Sequence, residues 1–320
     1  MSIGREIYVG TVGYNYRDWI GSFYPKGASS RRQLQLYSKQ FNVCELTQFT
    51  YQMPEIDRMQ NFVEGLGSSR TKFFVRIHNA LTHGTDIGLA LTVARHFRRA
   101  LEPLVETGRL AGFVATFPYA FKNSDASRMY LEQLAISLAC PDLPLFVDFR
   151  HSTWVTPKSF QWMAKRNLSF VCVDEPELPG LMPPLVTATQ DSVLIRLHGR
   201  NATGWWSGNL VTRYDYLYSK DELSGLLTRY LPLLEQGKQA HFLFANHWQA
   251  QSIRNGLEWR SMLAEYEMGE SPTRAGIADE DVLRAPVALP LEDVKSRVSL
   301  ALSDLQISMD LPPSVDPESG

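Results

Sequence analysis

Several apolar runs in this chain stop on charge, and they do so with a spacing that puts the charged groups on one side of a strand. In LPLFVDFRHSTW (Leu143–Trp154), Leu145, Phe146, Val147 and Phe149 form a buried-strand pattern that carries Asp148 and Arg150 at alternate positions. The run ending in IRLHGR repeats the device with Arg196, His198 and Arg200. Glu45 and Thr47 share a parity in a third run, and Arg76 and His78 in a fourth. Thr116 lies near the end of another, and Asp174 and Asn246 follow two more. A strand covered on both faces tolerates a charge only where a partner or a ligand meets it.

Arginines outnumber carboxylates in this set. Guanidinium forks match carboxylate and phosphate, so Arg150 and Arg200 at the rim, with Arg76 and Arg196 deeper, point to a small anionic ligand, a phosphorylated or carboxylated metabolite. His198 is the candidate acid or base, since imidazole titrates near neutral pH without a large shift. Asp148 is placed to orient it, and Glu45 is the third catalytic candidate. Asp174, Asn246 and Tyr14 complete the ligand-binding set. The competing reading makes Arg76, Asp148 and Arg196 a self-paired network that fixes the barrel top. Glu45, Asp148, Asp174 and His198 also have the donor types of a divalent-metal site, but the arginines would compete for those carboxylates, so no metal is assigned. No cofactor is identified: a G-x-G-x-x-G, a P-loop and a Gly-x-Ser-x-Gly elbow are all missing from the sequence. Tyr14, Tyr16, Trp19, Phe23 and Tyr24, with Trp205 and Trp206, supply a pocket wall or lid, Trp19 and Phe23 being better read as core.

The elements that must bring these residues together recur regularly. Strands are expected at Ile7–Gly10, Val43–Leu46, Phe73–Ile77, Phe113–Phe117, Leu145–Phe149, Ser169–Val173, Val193–Leu197 and His241–Ala245. Helical patterns follow at Arg31–Phe41, capped by Ser29 or Ser30, and at Glu55–Leu66, Ile87–Glu106 and Ala126–Leu138. Others follow at Pro157–Arg166, capped by Thr156, and at Lys220–Leu234 and Gln249–Tyr266. The crossover EPELPGLMPPLVTATQ after the sixth strand is too rich in proline for a full helix. Strands separated by such long crossovers must pair in parallel, and eight βα units make an α/β fold, a single parallel (β/α)8 TIM-type barrel over residues 1–266. A doubly wound open sheet is the competing architecture. Residues 267–320 form an acidic, proline-interrupted C-terminal extension, partly disordered, in which Leu291, Val294, Val298, Leu302 and Leu305 keep helical spacing.

Composition bounds the partners. The 320 residues are 44% hydrophobic with a net charge of −2, so no global basic field attracts nucleic acid. No apolar run is long enough to span a bilayer and the N-terminus lacks a leader pattern, so a cytoplasmic location is expected, without membrane attachment. Oligomeric state is not encoded legibly. The three cysteines, Cys44, Cys140 and Cys172, lack metal-ligand spacing, and Cys44 and Cys172 read as small core residues.

These motifs, in this order, resemble the YecE-like family, domain of unknown function 72, over about residues 7–264. The matching segments are VGTVGYNYRDWIGSFYPKG, Glu45 with Tyr51, Thr82 with His83, VDFRHSTW, IRLHGR, RYDYLYSKDEL, and Arg254 with Asn255. The resemblance implies a TIM-type barrel, adds His83 to the ligand-binding candidates and supplies no reaction. The chain departs from the family pattern at Tyr14 (usually Trp), Thr47 (Asn), Arg76 (Lys), Thr116 (Gln) and Asp148 (Glu). Phe244, Ala245 and Asn246 replace Phe-Asn-Asn. Arginine at position 76 excludes a Schiff-base amine there. Enzymatic hydrolysis or isomerisation by acid/base chemistry leads. A non-catalytic binding or regulatory barrel and a metal-dependent nucleic-acid hydrolase are the alternatives.

Overall fold

The computed structural model describes residues 7–268 apart from 85, 141, 207–212 and 237. The extension from 269 onward, with its amphipathic segment, lies outside the described residues. Eight strands close into a barrel in chain order: β1 (Ile7–Val12), β2 (Val43–Leu46), β3 (Lys72–Arg76), β4 (Leu110–Thr116), β5 (Leu145–Asp148), β6 (Leu168–Asp174), β7 (Ser192–Leu197) and β8 (Gln239–Phe244). Every neighbouring pair is parallel, and the ring closes where Ile7 of β1 opposes Ala240 of β8. A closed sheet has no edge, so the open doubly wound alternative is excluded.

The shell is formed by α1 (Ser30–Gln40), α2 (Ile56–Leu66), α3 (Ile87–Ala100), α4 (Glu102–Glu106), α5 (Asp125–Ser137), α6 (Pro157–Ala164), α7 (Lys220–Glu235) and α8 (Gln251–Met268). Caps set their starts: Ser29 accepts from Arg32 N–H, Thr156 accepts from Ser159 N–H with Pro157 in the first turn, and Ser219 closes a capping box with Glu222. The expected single helix over 87–106 breaks at Leu101, where Pro103 removes a backbone donor and forces a new first turn in α4. Between β6 and β7 the proline-rich crossover forms no helix, as its composition requires.

Side chains fill the barrel in layers. The lower layer is aromatic: the His241 ring stacks on Tyr8 at 4.7 Å and meets Phe74 edge-on at 4.9 Å, and Phe74 meets Phe146 at 4.9 Å. His241 Nε2 lies 3.2 Å from both Ser192 Oγ and Gln239 Oε1. The layer above it is ionic and is built from Glu45, Arg76, Asp148 and Arg196. Cys44, Cys140 and Cys172 are all buried and free.

Burial, with Lys72 adding to it, pushes His241 down to about 3. The unfolded chain binds that proton near pH 6.5, so the stability held by neutral His241 is full above that pH and is lost as pH falls toward 3. His241→Phe is therefore expected to take up about one proton fewer on unfolding at pH 5 and to lose about 2 kcal/mol less between pH 7 and pH 5. Denaturant titrations across that range check this; parallel curves for the two proteins would contradict it.

Candidate functional site

At the C-terminal mouth the ionic layer is a connected network. Arg196 of β7 reaches across the interior and bonds Asp148 Oδ2 of β5, with Glu45 of β2 at 3.2–3.3 Å on its other side. Its side chain is 1% exposed. Thr116 donates its hydroxyl to Asp148 Oδ2 at 3.2 Å. Arg76 grips Glu45 Oε1 with Nε and Nη2 at 2.8 and 2.7 Å, and Arg150 bridges Asp148 at 3.4 Å to Glu175 at 3.3 Å. Arg76 and Arg150 remain 21% and 18% exposed, so their outer edges face the mouth. Burial works to raise Asp148, but Arg150, Arg196, Arg76 and the Thr116 hydroxyl together hold it below the usual carboxylate range.

His198 continues the inward parity of β7 and is fully buried. Neither ring nitrogen has a hydrogen-bond partner, and Asp148 Oδ1 is likewise buried without one. The expectation that Asp148 orients His198 is therefore corrected: Arg150, Arg196 and Thr116 take up the one Asp148 oxygen that is bonded. Burial and then Arg150, Arg196, Arg76 and Arg213 push the imidazole well below its ordinary range, so it is a neutral ring at neutral pH.

A run of aromatic rings covers the site. Tyr16 stacks on His247 at 4.3 Å, Tyr214 lies 5.1 Å from His247 and 6.1 Å from His198, and Trp205 meets His198 edge-on at 6.1 Å. Trp19 donates its indole N–H to the His247 carbonyl at 2.7 Å and so pins the β1 loop to the β8 loop. Arg213 donates to the Trp205 carbonyl at 2.8 Å and lies over that indole.

Of the residues expected here, Glu45, Arg76, Asp148, Arg150, Arg196 and His198 converge. Four do not. Asp174 has the parity of Phe170, which packs on Phe160 of α6, so Asp174 faces the helical shell and meets Arg229 of α7 at 3.3 Å. Arg200 follows it there, clamping both Asp174 oxygens at 2.8 and 2.9 Å, with Tyr218 OH donating at 2.7 Å. Gly199, at φ +89°, turns the chain out of the inward register of Arg196 and His198. Asn246 shares the parity of Phe242 and Phe244, which pack on Trp259, and bonds Tyr216 O and Asn255 Oδ1 at 2.8 Å. Tyr14 is buried against Tyr37 of α1, at 5.9 Å; the neighbouring Tyr16 is the one at the mouth. His83 is exposed, its Nδ1 2.9 Å from Thr82 Oγ1.

Glu175 is the member that sequence reading missed. It follows Asp174 directly and turns inward as Asp174 turns out, accepting the Met182 N–H at 3.1 Å. Burial raises its carboxyl, with Arg150 opposing and Asp148 adding, to about 7. The signal was present as adjacency, but β6 is apolar on both parities and does not reveal which face is interior. Among the described residues no three His, Cys, Asp or Glu side chains are grouped to hold a metal ion.

A closed eight-stranded parallel barrel with polar side chains converging at its C-terminal mouth defines the α/β-barrel class, whose sites lie at that face. The family model described as protein of unknown function DUF72 matches residues 8–276, and the chain belongs to that family. It is similar to UPF0759 protein YunF of Bacillus subtilis (strain 168), 26% identical over 287 residues, covering 83% of this chain and 98% of that one. A solved DUF72 family protein from Thermotoga maritima MSB8 is 33% identical with a TM-score of 0.72, covering 81% of this chain and 99% of that one. A second, from Enterococcus faecalis V583, shares the fold at 22% identity and a TM-score of 0.71, covering 81% and 95%.

Because the Glu175 carboxyl is raised in the folded state, the stability it contributes is full below about pH 4.3, where the unfolded carboxyl titrates, and is lost as pH rises through 7. Glu175→Gln is expected to gain on the wild type by up to about 3 kcal/mol between pH 4 and pH 8. Unfolding free energies at those two pH values check this, and an unchanged difference would contradict it.

Proposed function

We propose that the mouth binds a small anionic metabolite, phosphorylated or carboxylated, and acts on it by proton transfer, in hydrolysis or isomerisation. The observation that carries this reading is His198, a fully buried imidazole with both nitrogens unpartnered, facing four guanidinium groups. Unpaired buried polar atoms cost free energy, and a ligand that bonds them recovers it. Arg76, Arg150, Arg196 and Arg213 face three carboxyl groups, Glu45, Asp148 and Glu175, of which Glu175 is half-neutral near pH 7. The excess positive charge among buried side chains favours an anion.

The roles follow from exposure and protonation. Arg76 turns its uncommitted edge, and Arg150 the exposed part of a guanidinium shared between Asp148 and Glu175, to the anion, while Arg196 holds Glu45 and Asp148 in place. Neutral His198 donates one N–H to an oxygen of the ligand and accepts through its other nitrogen. The proton itself is carried by Glu175, because a group near 7 can give and take it at neutral pH while His198 stays neutral. A non-catalytic binding barrel is the second reading, favoured by the engagement of both Glu45 and Asp148 with Arg196. The metal-dependent nucleic-acid hydrolase draws no support from the donor groups of the described residues. No helix among the described residues is long and apolar enough to cross a membrane.

Inorganic phosphate and a panel of phosphorylated and carboxylated metabolites are expected to raise the unfolding temperature. Arg150→Gln is expected to weaken phosphate binding about tenfold, and Arg200→Gln, in the shell, to leave it unchanged. For any hit that is turned over, His198→Ala is expected to lower kcat about a hundredfold. Equal losses in the two arginine variants, or no stabilisation by any anion, would contradict the reading.

A further inference from the structure

Beside the mouth the βα loops present a second surface that the ionic network does not use. Trp206, after β7, is 58% exposed, and Tyr119, after β4, is 38% exposed; their rings meet at 85° with centroids 6.0 Å apart. His151, after β5, packs against Tyr119 at 4.7 Å. Tyr119 is seated deliberately: Gly180, at φ +80°, leaves room where a Cβ would fall 2.0 Å from the phenol oxygen. Large aromatic rings left open to water, but held by a fitted backbone, mark a contact surface.

Chain adjacency joins this surface to the mouth at two points. Arg150, in the ionic network, is followed by His151, and Trp205, whose ring meets His198, is followed by Trp206. Consecutive Cα atoms are about 3.8 Å apart, so the aromatic shelf lies against the rim of the cationic site. His151 adds a directional group. Its Nδ1 accepts the Thr153 N–H at 3.2 Å, which places the ring proton on Nε2 as a donor. Burial, with Lys122 adding to it, holds the ring neutral.

We propose that the shelf formed by Tyr119, His151 and Trp206 binds a planar heteroaromatic ring carried by the anion in the mouth, so that the ligand is a free mononucleotide-type molecule. This rests on the anion reading of the mouth and narrows its ligand class. Trp206, the more exposed of the two, offers the ring a stacking face, Tyr119, perpendicular to it, offers an edge contact, and the His151 N–H offers one hydrogen bond to a ring nitrogen or carbonyl. A net charge of −2 over the whole chain favours a free molecule over a nucleic-acid strand.

Titration calorimetry with inorganic phosphate, ribose 5-phosphate, AMP and a short single-stranded oligonucleotide tests this. AMP is expected to bind about tenfold more tightly than ribose 5-phosphate, the increment of one stacked base. Trp206→Ala and Tyr119→Ala are expected to erase most of that preference while leaving ribose 5-phosphate affinity within about twofold. Trp206 is largely exposed, so that variant is expected to fold as the wild type does, which its unfolding temperature checks. No preference for AMP in the wild type, or a preference that survives both substitutions, overturns the shelf and spares the mouth. An oligonucleotide that binds more tightly than AMP overturns the free-ligand assignment. Failure of all the phosphates to bind overturns the mouth reading and the shelf with it.

Discussion

One guanidinium holds the upper barrel together. Arg196 starts on β7, extends into the interior and engages Asp148 of β5 and Glu45 of β2, strands that flank it on opposite sides of the ring and do not pair with β7. Its burial is costly, and only well-placed carboxylates offset that cost. The consequence is geometric. With Glu45 and Asp148 anchored by Arg196, Arg76 grips Glu45 through one edge, Arg150 spans Asp148 and Glu175, and both guanidiniums stay partly exposed at the mouth. A cationic rim is built over a floor of one guanidinium and two carboxylates.

The same network decides which groups can carry protons. His198 is the residue whose chemistry suggests itself first, yet burial among arginines keeps its ring uncharged. Glu175 sits at the network's edge, satisfied on one side by a backbone N–H and on the other by Arg150, and burial brings it to about 7. The imidazole becomes a neutral hydrogen-bonding group and the carboxyl becomes the titrating one. Tyr214 covers His198 and continues through His247 to Tyr16, and His247 is itself pushed down to about 4 by burial, with Asp18 opposing. That cover thins the water that would otherwise screen the charges.

The barrel was legible because strand count and crossover length are local properties. Eight apolar runs separated by long segments admit few closed topologies, and β1 through β8 close in chain order. The convergence of Glu45, Arg76, Asp148, Arg150, Arg196 and His198 was legible for a related reason: alternation on β5 and β7 links each polar residue to a neighbour of the same parity. Where a strand is apolar on both faces, parity carries no direction. In β6 this exchanged Asp174 for Glu175, and in β8 it set Asn246 inward when Phe242 and Phe244 bind it to the shell. Arg200 failed differently, because a left-handed glycine redirects the chain after His198. Tyr16 and Tyr214 belong to loops, whose ring positions depend on contacts between β1, β7 and β8 segments far apart in sequence.

An electron-dense tetrahedral anion soaked into crystals examines the site most directly. Tungstate is expected to give an anomalous peak within about 4 Å of guanidinium nitrogens of Arg76 and Arg150 and of a nitrogen of the His198 ring. A peak confined to the Arg200 and Arg229 side of Asp174, or none inside the mouth at a saturating concentration, would contradict an anion site built on the Arg196 network.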